Sequence, residues 1–357
     1  MGEQETYRTI RASVTSDESD QVLNSIYEKA TETDDVKPDC WGALEFAIVN
    51  DLPDILVGKS TKQQKVRTLC AFTFYVFNIV IQGGLLYFIF KLLMMPAFKE
   101  AQGLYMHFHS AAFINGTFDL TAFEDFPEKK RAALCNIALD QSPITQVLLF
   151  LWISTTLSEF IVSSERFFQI WNFPSLPKGC STTCMVKDEI VTGSTEFWCI
   201  CLNRETKIFL NTFIHLPKCV IALVLSFVGS FWLIASESFG DLILNSLALG
   251  FVTTVDELLA TTFFPGFFNT ECVEPFKYKC KKHPMRDTEE GAMSWRIMHY
   301  CGSFLKFAVA LAVVQGIMML QQVVPGYEFD LGEACRSYVE EQWPWCAPFQ
   351  TDCFPTD

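Results

Sequence analysis

The sequence predicts an all-helical membrane bundle of about five spans, and three observations carry that reading. Half of the 357 residues are apolar, 34 of them phenylalanine, and the charged fraction of 19% is gathered into the ends and the loops. Five apolar runs are long enough to cross the roughly 30 Å hydrocarbon core of a bilayer. The basic residues, the one glycosylation acceptor and the cysteine distribution then agree on which side each loop lies. The formal charge of −14, with no basic stripe interleaved with aromatic residues, excludes nucleic acid as a partner. No short apolar run with a small-residue cleavage site opens the chain, so the first span is expected to direct insertion.

Residues 1–39 are polar and acidic and are expected to form a disordered cytoplasmic tail, because they offer too little apolar surface to offset the ordering entropy. Met1-Gly2-Glu3 fits the bare myristoylation pattern, but Glu3 and Glu5 oppose an anionic leaflet and an ordinary tail is the favoured reading. Residues 40–66 follow as an interfacial amphipathic segment. Its apolar part, Trp41 to Val57, is too short to span and is interrupted by Asn50, Asp51 and Pro53.

The membrane domain is placed at 67–325. Its first span, 69–90, is preceded by Lys59, Lys62, Lys65 and Arg67, which puts that end in the cytoplasm. Asn78, Gln82, Gly83 and Gly84 within it read as a helix-packing face. Residues 96–143 form a long loop on the far side, with Asn115-Gly116-Thr117 as glycosylation acceptor and His107-Phe108-His109 as an alternation that puts both imidazoles on one side of a strand. A second span, 144–162, carries Ser154, Thr155, Thr156 and Ser158, which can bond to its own backbone, and ends at Glu159.

The next cytoplasmic loop contains Cys180, Cys184, Cys199 and Cys201. Their spacing is not that of paired zinc knuckles, so free or lipidated thiols weigh as heavily as a metal, and no cofactor is expected. Alternation around Phe197, Cys199 and Cys201 marks a short strand. The third span, 208–235, is expected to kink at Pro217 and presents Asn211, His215 and Lys218 on one face. A tight lumenal turn joins it to the fourth span, 241–264.

That fourth span holds Asp256 and Glu257, and an ionisable group in hydrocarbon is a functional-site hypothesis by default. On an unbroken helix Asn245 and Asp256 lie within about 20° of each other and Asp241 about 40° further round, giving a polar seam. Asp256 and Glu257 differ by about 100°, so only one of them can face a shared site. Lys277, Lys279, Lys281, Lys282, Arg286 and Arg296 return the chain to the cytoplasmic side. A fifth span, 302–324, carries Lys306, and residues 326–357 form an acidic lumenal or extracellular tail. Cys135, Cys335, Cys346 and Cys353 then make an even lumenal set suited to two disulfides, with the pairing open.

Matched for depth, Glu159, Asp256 and Glu257 oppose His215, Lys218 and Lys306. Two functions compete for that arrangement. In the first, a channel or carrier subunit moves a small cation or proton along Asp256, Asn245 and Asp241, and a pathway through so few spans favours a homo-oligomer. In the second, the chain is a membrane anchor or assembly subunit whose buried charges fix helix register. An enzyme is not expected: no catalytic set is visible, and the five histidines show no ligand spacing. The segment Asp241-Leu-Ile-Leu-Asn245-Ser-Leu-Ala-Leu-Gly-Phe251-Val-Thr-Thr-Val-Asp256-Glu257 resembles a helix that recurs in uncharacterised multi-pass membrane proteins of algae and other protists. The likeness covers about seventeen residues and implies membrane insertion without a named activity.

Overall fold

The computed structural model describes residues 8–11, 30–114, 117–136, 143–176, 184–189, 195–236, 239–281, 289–320 and 335. The chain divides into two compact units. One comprises 1–82, 160–220 and 254–301, and the other comprises 83–159, 221–253 and 302–357. Four helices are long and apolar enough to cross a membrane, and a bent helix pair makes a fifth candidate. These are α2 (Lys62–Ala112), α5 (Pro143–Asn172, within which Thr145–Asn172 is the candidate span), α6 (Arg204–Ile234), the pair α7 (Phe239–Thr253) and α8 (Val255–Phe263), and α9 (Glu289–Leu320, with Met293–Met319 the span). The chain is therefore mostly helical, as expected, but it also carries a five-stranded sheet.

The first unit contains that sheet, in the order β1-β5-β6-β7-β2, where β1 is Arg8–Arg11, β2 Ala30–Asp35, β5 Cys184–Glu189, β6 Thr195–Cys201 and β7 Phe276–Lys281. β6 and β7 run parallel and the other neighbours antiparallel. The strand expected around Cys199 is present. Within the tail expected to be disordered, Arg8–Arg11 and Ala30–Asp35 instead pair as strands. One opposite-charge pair across the β2–β7 ladder supports the second of these: Asp35 faces Lys277, with Nζ 3.7 Å from Oδ1. Part of the basic cluster expected to mark only topology is thus strand β7.

Helix α1 is built from Cys40–Phe46, a π turn Ala47–Asp51, and Leu52–Val57. It was expected at an interface, yet every residue from Cys40 to Asp51 is buried. The reason is that its few polar side chains find partners inside the protein, Glu45 beside Arg166 and Asp51 with Arg67 and Asn50, while the rest of its surface is apolar. Phe46 meets Phe197, Phe268 and Phe276 edge to face, with ring centroids 5.4–6.3 Å apart, and joins α1 to the sheet.

The second unit contains the far part of α2, β3 (Phe113–Ile114), β4 (Thr117–Phe118), α3 (Leu120–Glu124), α4 (Glu128–Asn136), the start of α5 (Pro143–Asn172), the far half of α6, α7 (Phe239–Thr253) and most of α9 (Glu289–Leu320). The loop expected from residue 96 is helical as far as Ala112. Ala101, Tyr105, Phe108 and Ala112 recur at helical spacing and are buried, so packing continues the helix where hydropathy alone would end it. His107 and His109 consequently lie on a helix, and His109 stacks on Phe113. In this unit's core Gly229 lets Trp152 approach closely: a Cβ there would sit 2.6 Å from the indole. Cys135 and Cys335 are disulfide-bonded, one of the pairings the even cysteine count allowed. Cys346, Cys353, Cys180 and the acceptor Asn115 lie outside the described residues.

Four prolines share one local solution. Pro53, Pro96, Pro217 and Pro275 each follow a π turn, at Ala47–Asp51, Ile89–Met94, Asn211–His215 and Asn269–Val273. Proline lacks the N–H of the α ladder and its ring crowds the carbonyl four residues back. In each case the residue just before the proline donates to the carbonyl five residues back, as Leu216 does to Asn211, which widens the turn and removes the clash. The kink expected at Pro217 takes this form.

The fourth span is broken. Gly240–Thr253 and Val255–Phe263 (α8) meet at Thr254 with a bend of 52°. Thr253 Oγ1 bonds to Gly250 O, the kind of hydroxyl contact that competes with the helical ladder. The angular argument for a continuous polar seam assumed an unbroken helix, so the seam does not hold across this point.

Candidate functional site

In the first unit, ionisable side chains gather where α1 begins. Asp39 caps α1: its Oδ1 accepts from Gly42 N at 2.7 Å. Its other oxygen, Oδ2, accepts from Lys218 Nζ at 3.1 Å. Asp256 Oδ2 lies 3.9 Å from the same ammonium. Asp39 and Asp256 are buried, at 2% and 6% exposure, so the shared lysine is what makes two carboxylates tolerable there. Lys218 also lies over the Trp41 ring, 5.9 Å from its centroid.

A second cation, Arg166 on α5, lies among acids from β2 and α1. It pairs with Asp34, donates to Asp35 O at 2.9 Å and to Gln169 Oε1 at 3.1 Å, and places Nε 3.9 Å from Glu45 Oε1. Its guanidinium carbon sits 4.9 Å from the centroid of the Tyr278 ring. A third, Arg67 on α2, grips Asp51 with two hydrogen bonds of 2.7 and 2.5 Å, and Asn50 Nδ2 donates to the same carboxylate. Arg67 also reaches Cys272 Sγ at 3.0 Å.

Between the groups around Lys218 and Arg166 is a pocket of about 330 Å³. Helical spacing sets its walls. Ser163, Arg166 and Gln169 recur along α5, His215 and Lys218 along α6, and Asp39, Gly42 and Glu45 along the start of α1. Burial pushes the Cys40 thiol from its usual 9.0 up to about 12, and the neighbouring charges of Asp39 and Asp256 push the same way. Burial likewise raises the Tyr278 phenol well above its usual range, with Glu45 adding to it.

Of the residues singled out in the sequence, Asp256, His215 and Lys218 come together in this unit, with His215 in the pocket wall and Asp256 on Lys218. Of the two adjacent acids, only one of which could face a shared site, Asp256 is buried beside Lys218 and Glu257 is exposed. Asn245 belongs to the other unit and donates to Ser236 Oγ at 2.9 Å. Asp241 and Lys306 are exposed and Glu159 is half-buried, all in the second unit. The proposed route from Asp256 through Asn245 to Asp241 therefore has no continuous helix face to follow. Cys199 and Cys201 are buried in β6, and among the described residues no group of three His, Cys, Asp or Glu side chains is placed to hold a metal.

No protein-family model, no curated protein and no solved structure matches the chain.

Asp39, Glu45, Asp51, Trp41 and Arg166 were missed as site residues, and Arg67 was read only as a topology signal. The signal was available: Glu45 and Asp51 interrupt an otherwise apolar run, the same anomaly that drew attention to Asp256.

Proposed function

We propose that the chain is a multi-pass membrane protein that acts as a channel or carrier subunit for a small cation or proton, with the pocket of the first unit as its ion-binding vestibule. The observation that carries this reading is the charge of the pocket wall. Among the described residues it presents five carboxylates, Asp34, Asp35, Asp39, Glu45 and Glu165. Against these stand three cations, Lys37, Arg166 and Lys218. An acidic concavity concentrates cations. Lys218, shared by Asp39 and Asp256, is the point at which an arriving cation or proton competes for a carboxylate. The competing reading, an anchor with structural charges, draws on the Arg67–Asp51 pair, which clamps α1 to α2 at a residue with no exposed surface.

Whole-cell current or flux separates the two. With surface labelling as the control, Asp256→Asn is expected to abolish cation flux at unchanged surface density. Undiminished flux in that variant would remove Asp256 from the pathway. A wild-type protein that reaches the surface and passes no cation would leave the anchor.

A further inference from the structure

The corner between α1 and α2, within the first unit, presents an apolar tip next to unpaired cations. α1 ends at Gly58, whose φ of 76° lies in the left-handed region, and its last residues, Leu56 and Val57, are 78% and 52% exposed. The corner is held in place: Gln64 Nε2 donates to Asp54 Oδ2 at 2.6 Å, and Arg67 Nε donates to Asp51 at 2.7 Å. Lys59 follows directly, and Lys62 and Lys65 open α2. All three lysines are exposed, and none forms an ion pair with any described residue.

The bias of basic residues toward the cytoplasm accounts for cations at this end of a span. Two features go beyond it. Lys62 and Lys65 stand in the first turn of α2, where the helix dipole disfavours positive charge and no acidic side chain offsets them. They also head an exposed stripe that runs on at helical spacing through Leu69, Phe72, Val76 and Val80, which are 42–68% exposed. The stripe is thus cationic over its first turn and apolar thereafter. From Lys65 to Leu69 the helix rises about 6 Å, which matches the roughly 5–7 Å of headgroup region bordering the hydrocarbon core on each side. Lysine stems can lie along apolar surface there with their ammonium groups among the phosphates. A negatively charged leaflet attracts exposed lysines of this kind, and an apolar tip beside them adds insertion at the same depth. A protein partner seated on the lysines would have to cover Leu69 and Phe72 as well, on the outward face of a candidate span.

We propose that the α1–α2 corner docks on an anionic lipid leaflet, with Leu56 and Val57 inserted at the interface and Lys59, Lys62 and Lys65 on the lipid headgroups. The inference rests on the membrane reading above and is independent of cation transport.

Full-length protein is reconstituted into nanodiscs of phosphatidylcholine alone and of phosphatidylcholine with about 30 mol% phosphatidylserine. Brief acetylation with acetic anhydride is then read at each lysine by mass spectrometry, with the exposed Lys129 of the second unit as internal reference. Relative to Lys129, the three lysines are expected to react at least threefold more slowly when phosphatidylserine is present. The difference is expected to vanish at about 1 M salt, where the screening length falls to about 3 Å. The double variant Leu56→Ser/Val57→Ser removes no charge and alters only exposed side chains, and it is expected to lose most of the protection. Equal reactivity in the two lipid compositions, protection shared by Lys129, or full protection in the double variant would overturn the proposal. Unprotected lysines in a protein that resists alkaline carbonate extraction would overturn it while leaving the membrane reading intact. A protein that carbonate releases would sink both.

Discussion

Replacing Gly42 by alanine isolates the contact that holds the pocket's outer wall. Gly42 lies in the first turn of α1, where its N–H donates to Asp39 Oδ1, and a Cβ at this position would overlap Lys37 O and sit 2.8 Å from Val36 Cγ1. The obstacle is mainly backbone, so it cannot swing aside as the end of a long side chain would. Relief requires moving the Val36–Lys37 segment, which also carries the 2.9 Å bond from Asp39 N to Lys37 O. Overpacking of this kind costs about 1–3 kcal/mol, and loss of an N-cap bond adds about 1 kcal/mol. The sum, about 2–4 kcal/mol, corresponds to a fall in melting temperature of about 3–5 °C for a chain of 357 residues. The assay is thermal unfolding in detergent at a fixed scan rate, with Gly83→Ala as control. Nothing lies within 4 Å of a Cβ at Gly83, so the same change in the middle of α2 is expected to be neutral or to stabilise by up to about 1 kcal/mol. If Gly42→Ala melts with the wild type, the close approach of α1 to the preceding segment is wrong.

Arg67→Met strands the fully buried Asp51 and is expected to cost about 3–5 kcal/mol by denaturant unfolding, while the double variant Arg67→Met/Asp51→Leu recovers most of that loss. Cys40 gives a pH dependence whose sign is fixed. Its folded thiol, raised to about 12, keeps a proton that the unfolded chain gives up near 9.0, so its contribution is complete below pH 9 and is lost as pH rises from 9 toward 12. Unfolding of wild type and Cys40→Ala, compared between pH 8 and 10.5, should therefore show wild type losing up to about 1.4 kcal/mol per pH unit relative to the variant. Cys135→Ser frees Cys335, so maleimide labelling without reductant should rise by one thiol, with a loss of about 2–5 kcal/mol in stability.

What the sequence disclosed followed the range of each physical signal. Apolar runs located every candidate span, because desolvation is read residue by residue. Their ends were misjudged where packing extends a helix past its apolar core. Helix α5 continues from the expected end at 162 to Asn172, since Ser163 and Ile170 on its inner face are buried. Pro217 was legible as a distortion and Pro96 was misread as a terminus, although the same π turn precedes both. The β6 strand declared itself by alternation. Ala30–Asp35 did not, because its pairing depends on a basic partner strand some 240 residues away, and nothing local marks that.

The seam on the fourth span failed for a reason that sharpens the site. Its geometry required eleven residues of unbroken helix, and the break at Thr254 puts Asn245 and Asp256 into different units. The underlying premise, that a carboxylate in an apolar stretch must find a cation, agrees with the ion pairs observed. Asp256 shares Lys218 with Asp39, and the same premise applied to Glu45 and Asp51 leads to Arg166 and Arg67. The second unit is held differently, by an apolar core around Trp152, Phe231 and Leu249 and by a disulfide. Charge-removing substitutions in the first unit should therefore cost stability wherever they strand a buried partner, as at Arg67, whereas in the second unit it is cavity-forming substitutions that should do so.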